Sequence, residues 1–131
     1  MIVVDASVMA NTVADDGLDG RRVRRDLRDA GGLAAPDLVD VETVAVLRKR
    51  WLAGTLTDRR FAAAVADLQD LDVDRYPVLP FMRRAYELRA NVTAYDAAYV
   101  ALAETLGCEL WTGDRRLANA HGPACVIRVL S

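Results

Sequence analysis

Four acidic residues stand at positions in the sequence where a carboxylate could bind a ligand rather than only face solvent. Asp5 and Asp114 each follow a short apolar run of the kind that forms a buried strand, while Glu42 and Asp96 lie within apolar helical patterns. Carboxylates brought close together raise one another's pKa unless a cation balances their charge. Hard divalent ions such as Mg²⁺ or Mn²⁺ prefer oxygen ligands of this type. If the four residues converge, the sequence predicts a divalent metal site.

Each of these acids also has a purely structural interpretation. Asp5 and Asp114 are suitable N-caps for the helices that follow them. Asp96 stands three residues after Thr93, which is a variant of the capping box. Glu42 has apolar neighbours at helical spacing, where an unpaired carboxylate is costly, but a narrow polar stripe facing solvent is an equal alternative. Joint placement at one point in the fold is what would favour the metal site over four separate caps.

The apolar pattern predicts an α/β domain of three layers that spans residues 1–131. Strands are expected at 2–4, 33–36, 75–79, 109–112 and 125–130, and helices at 8–14, 18–30, 38–53, 57–71, 81–90, 93–106 and 115–121. The first strand lacks polar alternation, which is typical of a parallel sheet covered on both faces. Because ligands bind beyond the carboxyl ends of such strands, Asp5 and Asp114 are expected to meet at one crevice if their strands are neighbours.

Composition excludes several other classes of protein. The chain of 131 residues is 53% hydrophobic, yet it has no apolar segment long enough for a membrane span and no leader pattern, so a cytoplasmic location is expected. The net charge is −2, but with the four acids set aside the balance is 17 basic against 15 acidic residues. Cys108 and Cys125 match no zinc or disulfide framework and are expected to be buried free thiols.

The single histidine, His121, excludes a ribonuclease built on two histidines, and no serine is placed to make a Ser-His-Asp triad with it. His121 is expected near a helix end, where the helix dipole would favour its charge. A phospho-accepting receiver domain would need a lysine after a late strand, but the only lysine is Lys49. A haloacid-dehalogenase-type phosphatase would need a second Asp where Ser7 stands.

Four motifs in order resemble those of PIN domains, and in particular of VapC toxins from bacterial toxin–antitoxin pairs. They are Val-Val-Asp5-Ala-Ser7, Pro36-Asp-Leu-Val-Asp-Val-Glu42, Thr93-Ala-Tyr-Asp96-Ala-Ala-Tyr99 and Leu110-Trp-Thr112-Gly-Asp114-Arg-Arg-Leu. The resemblance implies a central parallel sheet of order 3-2-1-4-5 flanked by helices. It also implies Mg²⁺-dependent endoribonuclease activity, a homodimer, and neutralisation by a cognate antitoxin that also binds DNA, in a heterotetramer or larger complex.

The resemblance places the catalytic acids on Asp5, Glu42, Asp96 and Asp114. Of these, Asp5, Asp96 and Asp114 are expected to bind the metal directly, while Glu42 acts through a water molecule or orients the nucleophile. The implied reaction is hydrolysis of an RNA phosphodiester by metal-activated water, with a 5′-phosphate and a 3′-hydroxyl as product ends. The alternative is a PIN-like binding module with weak or no nuclease activity.

Further residues have expected roles around this centre. Ser7 and Thr112 are placed to hydrogen-bond the ligand oxygens. Arg115 and Arg116 are candidates for binding RNA phosphates, with a solvated charged surface as the equal alternative. Trp51, near the bend between helices 38–53 and 57–71, is expected by default in the core, as is Leu52. An antitoxin-binding surface is expected on this helix hairpin, formed by Val44, Leu47, Trp51, Phe61, Val65 and Leu68.

Overall fold

A five-stranded parallel sheet of order β3-β2-β1-β4-β5 forms the centre of the structure, a computed structural model that describes residues 1–130. The strands are β1 (Ile2–Val4), β2 (Leu33–Pro36), β3 (Asp74–Tyr76), β4 (Leu110–Thr112) and β5 (Ile127–Val129). The helices are α1 (Ala6–Ala14), α2 (Leu18–Asp29), α3 (Val39–Leu52), α4 (Asp58–Asp70), α5 (Met82–Glu87), α6 (Ala94–Leu106) and α7 (Arg115–Ala118). The predicted α/β class and strand order are confirmed.

Strand β1 lies in the middle of the sheet because all of its side chains are apolar. Val3 pairs with Ala34 of β2 on one side and with Leu110 of β4 on the other. Its three residues are buried, which only a strand covered on both faces achieves. The carboxyl ends of β1 and β4 therefore lie side by side, as the site requires.

Helix α6 packs against β1, β2 and β4 and carries the first turn that contains Asp96. Its residues 97–103 are all buried, and four of them are alanines, which allow the helix to approach the sheet closely. Gly107 ends the helix with a φ of 64°, a left-handed conformation that glycine adopts at little cost. Helix α1 packs against α2, α3 and α4, so α3, which carries Glu42, is anchored through α1, whereas α6 is anchored directly to the sheet.

Several predicted boundaries are wrong near the end of the chain. The helix expected at 81–90 is a 3₁₀ turn, Leu79–Phe81, followed by the short α5, because Pro80 supports a tight turn at the start. The helix expected at 115–121 ends at Ala118, so His121 lies beyond it in a loop rather than at the helix end. The third strand, expected at 75–79, begins one residue earlier and ends three residues earlier, at Tyr76, because Pro77 lacks the N–H that would continue the ladder.

Two simpler expectations concern membrane spans and thiols. Within residues 1–130, no helix combines the length and the apolar character needed to cross a bilayer. Cys108 and Cys125 are free, but both are half-buried rather than fully buried. Burial raises the pKa of the Cys125 thiol to about 11, so it is a thiol and not a thiolate at neutral pH.

Candidate active site

Asp5 is the buried anchor of the site, at the point where β1 ends and α1 begins. Its Oδ1 accepts a hydrogen bond from the Ser7 hydroxyl at 2.6 Å and from the Val8 amide at 3.1 Å. Its Oδ2 accepts a hydrogen bond from the Thr112 hydroxyl at the end of β4. Asp5 is therefore an N-cap, as the structural interpretation proposed, and at the same time a carboxylate held at the carboxyl edge of the sheet.

The two hydroxyl residues connect Asp5 to the loop that carries Asp114. Thr112 Oγ1 accepts from the Asp114 amide at 3.0 Å, and Ser7 Oγ accepts from the Gly113 amide at 2.9 Å. A Cβ at Gly113 would lie 3.1 Å from Ser7 Oγ, so any other residue there would press on the Ser7 hydroxyl. Ser7 and Thr112 thus hold the ends of β1 and β4 in one fixed relation.

Asp114 is the N-cap of α7, and its Oδ1 accepts from the Arg116 amide at 2.9 Å. Asp96 lies in the first turn of α6, where its amide donates to the Thr93 hydroxyl at 3.2 Å. Both capping interpretations therefore hold. Arg116 is 94% exposed and its Nε lies 3.5 Å from Asp114 Oδ1. The Arg115 side chain is exposed, and neither arginine is buried against the protein.

Glu42 faces the site rather than open solvent. Its Oε1 accepts a hydrogen bond from the Tyr99 hydroxyl at 2.7 Å. Tyr99 is 1% exposed, so this hydroxyl reaches Glu42 from inside the core. The sequence analysis gave no role to Tyr99, although it stands three residues after Asp96 and therefore on the same side of α6. That spacing is the signal that would have identified it.

The pKa values show that these carboxylates share one electrostatic environment. Burial raises the pKa of Asp5 despite the hydrogen bonds from Ser7 and Thr112. Burial also raises the pKa of Asp96, and the neighbouring charges of Asp5 and Asp114 add to that rise. The pKa of Glu42 is raised first by burial and then by the charges of Asp96 and Asp5. The charges of Asp5 and Asp114 therefore reach Asp96, and the charges of Asp5 and Asp96 reach Glu42, although these residues come from distant parts of the chain.

The donor set suits a hard divalent cation, since the site offers carboxylate and hydroxyl oxygens but no nitrogen or sulfur ligand. Over the described range 1–130, no three His, Cys, Asp or Glu side chains already form a closed metal-binding group. Several of the carboxylate oxygens accept hydrogen bonds instead, from the hydroxyls of Ser7, Thr112 and Tyr99 and from the Arg116 amide. The residues fit Mg²⁺ or Mn²⁺ by chemistry and by charge.

The expected antitoxin surface needs correction on the helix hairpin. Leu47 is 0% exposed and Leu68 is 3% exposed, so both belong to the core and contribute nothing to a surface. Trp51 is 41% exposed and Leu52 is 60% exposed, so the expectation that both lie in the core is wrong. Both follow the last buried residue of α3 at the end of the helix, where no element covers them. Val44, Phe61 and Val65 are half-buried.

Comparison with known proteins places this geometry in a family. Residues 2–122 match the family model described as PIN domain. The chain is 42% identical over 133 residues to ribonuclease VapC9 of Mycobacterium tuberculosis, covering 99% of this chain and 98% of that protein. The crystal structure of VapC20 from Mycobacterium tuberculosis, described as a sarcin–ricin loop cleaving toxin, superposes with a TM-score of 0.70 at 19% identity, covering 91% and 94% of the two chains. VapBC2 of Rickettsia felis, solved with a DNA fragment from its promoter, superposes with a TM-score of 0.69 at 11% identity over 100% of each chain.

Proposed function

The chain belongs to the PIN-domain family, and from that premise we propose that it is a metal-dependent endoribonuclease toxin of the VapC kind. The observation that carries the proposal is geometric, because the four acids lie beyond the adjoining ends of β1 and β4. Thr112 joins Asp5 to the loop of Asp114, and Asp96 and Asp114 line one cavity. Tyr99, on the helix that carries Asp96, donates a hydrogen bond to Glu42. The full-length similarity to ribonucleases supports the same reaction class.

Asp5, Asp96 and Asp114 are the residues that would hold Mg²⁺ or Mn²⁺. A bound divalent ion lowers the pKa of water and balances the charge that develops on a phosphodiester during hydrolysis. Glu42, positioned by Tyr99, orients the attacking water and accepts its proton. Attack by water leaves a 5′-phosphate and a 3′-hydroxyl on the two products.

Ser7 and Thr112 keep Asp5 in place during this reaction, since their hydroxyls donate to both of its carboxylate oxygens. Arg115 and Arg116 stand beside the acids with exposed guanidinium groups. They are proposed to bind phosphates on either side of the cleaved bond, which positions the substrate without reading its sequence. The overall negative charge of the protein is then no obstacle, because the basic groups act locally.

The test is RNA cleavage by pure protein with and without a divalent ion, compared with Asp5→Asn and Asp96→Asn. Each variant keeps the shape of the side chain and removes one charge from the site, so cleavage should fall by at least about a hundredfold. Asp70→Asn is the matched control and should cleave like wild type, since Asp70 is exposed at the end of α4, which carries none of the four site acids. Equal activity in all four proteins would refute the assignment. Absence of cleavage from pure wild type would favour the PIN-like binding module.

An antitoxin partner is proposed for the exposed part of the helix hairpin, in a complex built on a toxin homodimer. Trp51 and Phe61 lie with ring centroids 6.4 Å apart, and Trp51 Nε1 donates to Asp58 Oδ1 at 2.6 Å. A preorganised exposed aromatic of this type is a common anchor at protein interfaces.

The antitoxin proposal predicts that Trp51→Glu weakens binding of the cognate antitoxin by at least about a hundredfold, with little change in thermal stability. The control is Leu79→Glu, because Leu79 is 79% exposed but lies outside the hairpin. Isothermal titration calorimetry measures the affinity, and a thermal melt of each variant alone measures the fold. Equal losses of affinity in both variants would refute this location for the interface.

A further inference from the structure

An exposed tyrosine on α5 lies among arginines that the proposed reaction does not use. Tyr86 is 57% exposed, although the guanidinium carbon of Arg89 lies 4.1 Å from the centroid of its ring. The guanidinium carbon of Arg83 lies 5.9 Å from the same centroid. Arg89 is held in position because its Nη1 donates to the Tyr86 carbonyl at 2.9 Å. An aromatic ring that a neighbouring cation holds and that stays open to solvent can stack on a ligand with a flat face.

The two arginines carry charge that the protein itself does not neutralise. Within residues 1–130, neither Arg83 nor Arg89 has a carboxylate at ion-pair distance. Arg84, by contrast, is paired with Glu104 at 2.8 Å and with Glu87 at 3.5 Å. A basic surface with an exposed aromatic ring is the combination that binds single-stranded nucleic acid, because cations bind the phosphates and the ring stacks on a base.

Tyr86 lies near the acids because α5 runs antiparallel to α6. Arg84 reaches Glu104 near the C-terminal end of α6, while the turn after α5 leads into the first turn of α6, which contains Asp96. At 1.5 Å per residue, Asp96 lies about 12 Å from Glu104 along α6, and Tyr86 lies about 3 Å from Arg84 in the same direction. The ring is therefore roughly 9 Å from Asp96 along the axes of two helices that pack about 8–10 Å apart. A short single strand of RNA spans such a distance.

The turn between α5 and α6 connects this surface to the candidate active site. Asn91 and Val92 of the turn line a cavity of about 250 Å³, whose other walls include Asp96, Asp114 and Arg116. The carboxylates of the site repel the phosphates of an approaching strand unless cations balance them. The arginines of α5 lie outside this cavity and offset the repulsion for the part of a strand that extends beyond it.

We propose that Arg83, Tyr86 and Arg89 form a docking surface for single-stranded RNA a few nucleotides from the cleaved bond, where Tyr86 stacks on a base and the arginines bind phosphates. The inference rests on the proposed function, since it places the rest of the substrate beside the same acids. Stacking and phosphate contacts depend little on the identity of the base, so the docking surface contributes affinity rather than sequence preference. Loss of these contacts should raise KM and leave kcat almost unchanged, because they bind substrate and transition state alike.

The experiment measures binding of a fluorescein-labelled adenylate dodecamer to the cleavage-deficient Asp5→Asn protein by fluorescence anisotropy. In this background Tyr86→Ala should weaken binding about tenfold, as the loss of one stacked base does. Tyr86→Phe keeps the ring and should bind as tightly as its parent. The matched control is Trp51→Ala, which removes an exposed aromatic ring from the helix hairpin and should leave binding unchanged.

The arginines are tested by the salt dependence of the same binding. Each phosphate contact on a single strand contributes about 0.7 to the slope of log affinity against log salt concentration. Replacing Arg83 and Arg89 together by alanine should therefore make the slope shallower by about 1.4. The control replaces Arg22 and Arg59 by alanine, since both are exposed on other helices, and should keep the slope.

Binding and cleavage together separate this inference from the proposed function. Binding that depends on Tyr86 and on the two arginines supports the docking surface even if wild type cleaves no RNA, and only the proposed reaction then fails. Cleavage by Tyr86→Ala with the KM of wild type overturns the docking surface while the nuclease assignment stands. Equal affinity of Tyr86→Ala and its parent for the dodecamer, or no binding by either, overturns it as well.

A second copy of the chain is the other occupant that an exposed aromatic surface can have. Sedimentation velocity without RNA distinguishes the two occupants. Tyr86→Ala should have the same oligomeric state as its parent, because the ring is assigned to RNA. A change from dimer to monomer in this variant overturns the RNA assignment.

Discussion

Replacing Thr112 by valine should separate the role of a hydroxyl from that of the side chain's shape. Thr112 is 0% exposed, and its hydroxyl both donates to Asp5 Oδ2 and accepts from the Asp114 amide. Valine has nearly the same volume, so the change opens no cavity. It leaves a buried carboxylate oxygen without its donor and an amide without its acceptor.

The expected cost follows from those two lost contacts. A hydrogen bond to a charged group contributes roughly 1.5–3 kcal/mol, and the half-exposed Asp114 amide regains part of its loss from water. Valine recovers some of this through its added apolar surface, so Thr112→Val should destabilise by about 2 kcal/mol. For a chain of this length that corresponds to a melting temperature lower by roughly 6–10 °C. Loss of this donor also raises the pKa of Asp5 further.

Thr43 provides a matched control inside the same protein. It is also 0% exposed, but its hydroxyl has no hydrogen-bond partner in the part of the chain that the structure describes. A buried hydroxyl without a partner costs free energy, so Thr43→Val should stabilise by about 1 kcal/mol. Urea denaturation of the two variants measures this difference in sign. Thr112→Ser retains the hydroxyl and should lose only about 1 kcal/mol from the missing methyl group.

The same variants also report on activity. Thr112→Val frees Asp5 and the Asp114 loop, and a displacement of about 1 Å in a catalytic group costs roughly a hundredfold in rate. Thr112→Ser should restore most of that rate. If Thr112→Val and Thr43→Val change stability by the same amount and in the same direction, the hydroxyl of Thr112 does not hold Asp5 and the Asp114 loop together as assigned.

Three further outcomes follow from the charges. Asp96→Asn should raise stability by roughly 0.5–1 kcal/mol while abolishing cleavage, because it removes a half-buried charge next to two others; a lower urea midpoint would contradict this. Added Mg²⁺ should raise the melting temperature, with about 2.7 kcal/mol gained at one hundred times the dissociation constant, and EDTA should reverse the rise; an equal rise in Asp5→Asn would mean binding elsewhere. Arg84 and the Ala124 amide lower the pKa of Glu104, so their stabilisation is complete above its ordinary pKa of 4.5 and is lost as the pH falls through the lower pKa of the folded protein. Glu104→Gln should therefore cost about 1 kcal/mol near pH 7 and progressively less as the pH is lowered below 4.5, and a loss that does not depend on pH would refute the ion pair.

The sequence alone predicted those parts of the fold that local patterns encode. An unbroken apolar run indicated that β1 belongs to a parallel sheet covered on both faces, and a carboxylate directly after it indicated the edge of the sheet where a site would lie. The central position of β1 followed from the resemblance to PIN domains and not from the apolar run. The Glu42–Tyr99 hydrogen bond joins residues 57 positions apart and depends on how α3 and α6 cross the sheet. No local pattern carries that information. The same limit explains Leu47 and Leu68, which match an apolar stripe equally well whether the stripe faces the core or a partner.

The sequence left open whether these acids are helix caps or catalytic residues, and the structure shows that capping does not exclude the proposed catalytic role. Asp5 caps α1 and Asp114 caps α7, and the charges of these same two carboxylates add to the rise in the pKa of Asp96 that burial causes. A helix N-terminus attracts negative charge, and in a parallel sheet it follows the carboxyl end of a strand, so caps and ligand sites arise at the same points in the chain. What distinguishes a site from a set of caps is convergence. Thr112 joins Asp5 to the loop of Asp114 by hydrogen bonds, and the charges of both residues disfavour the ionised form of Asp96. Unrelated helix caps would not be connected in this way.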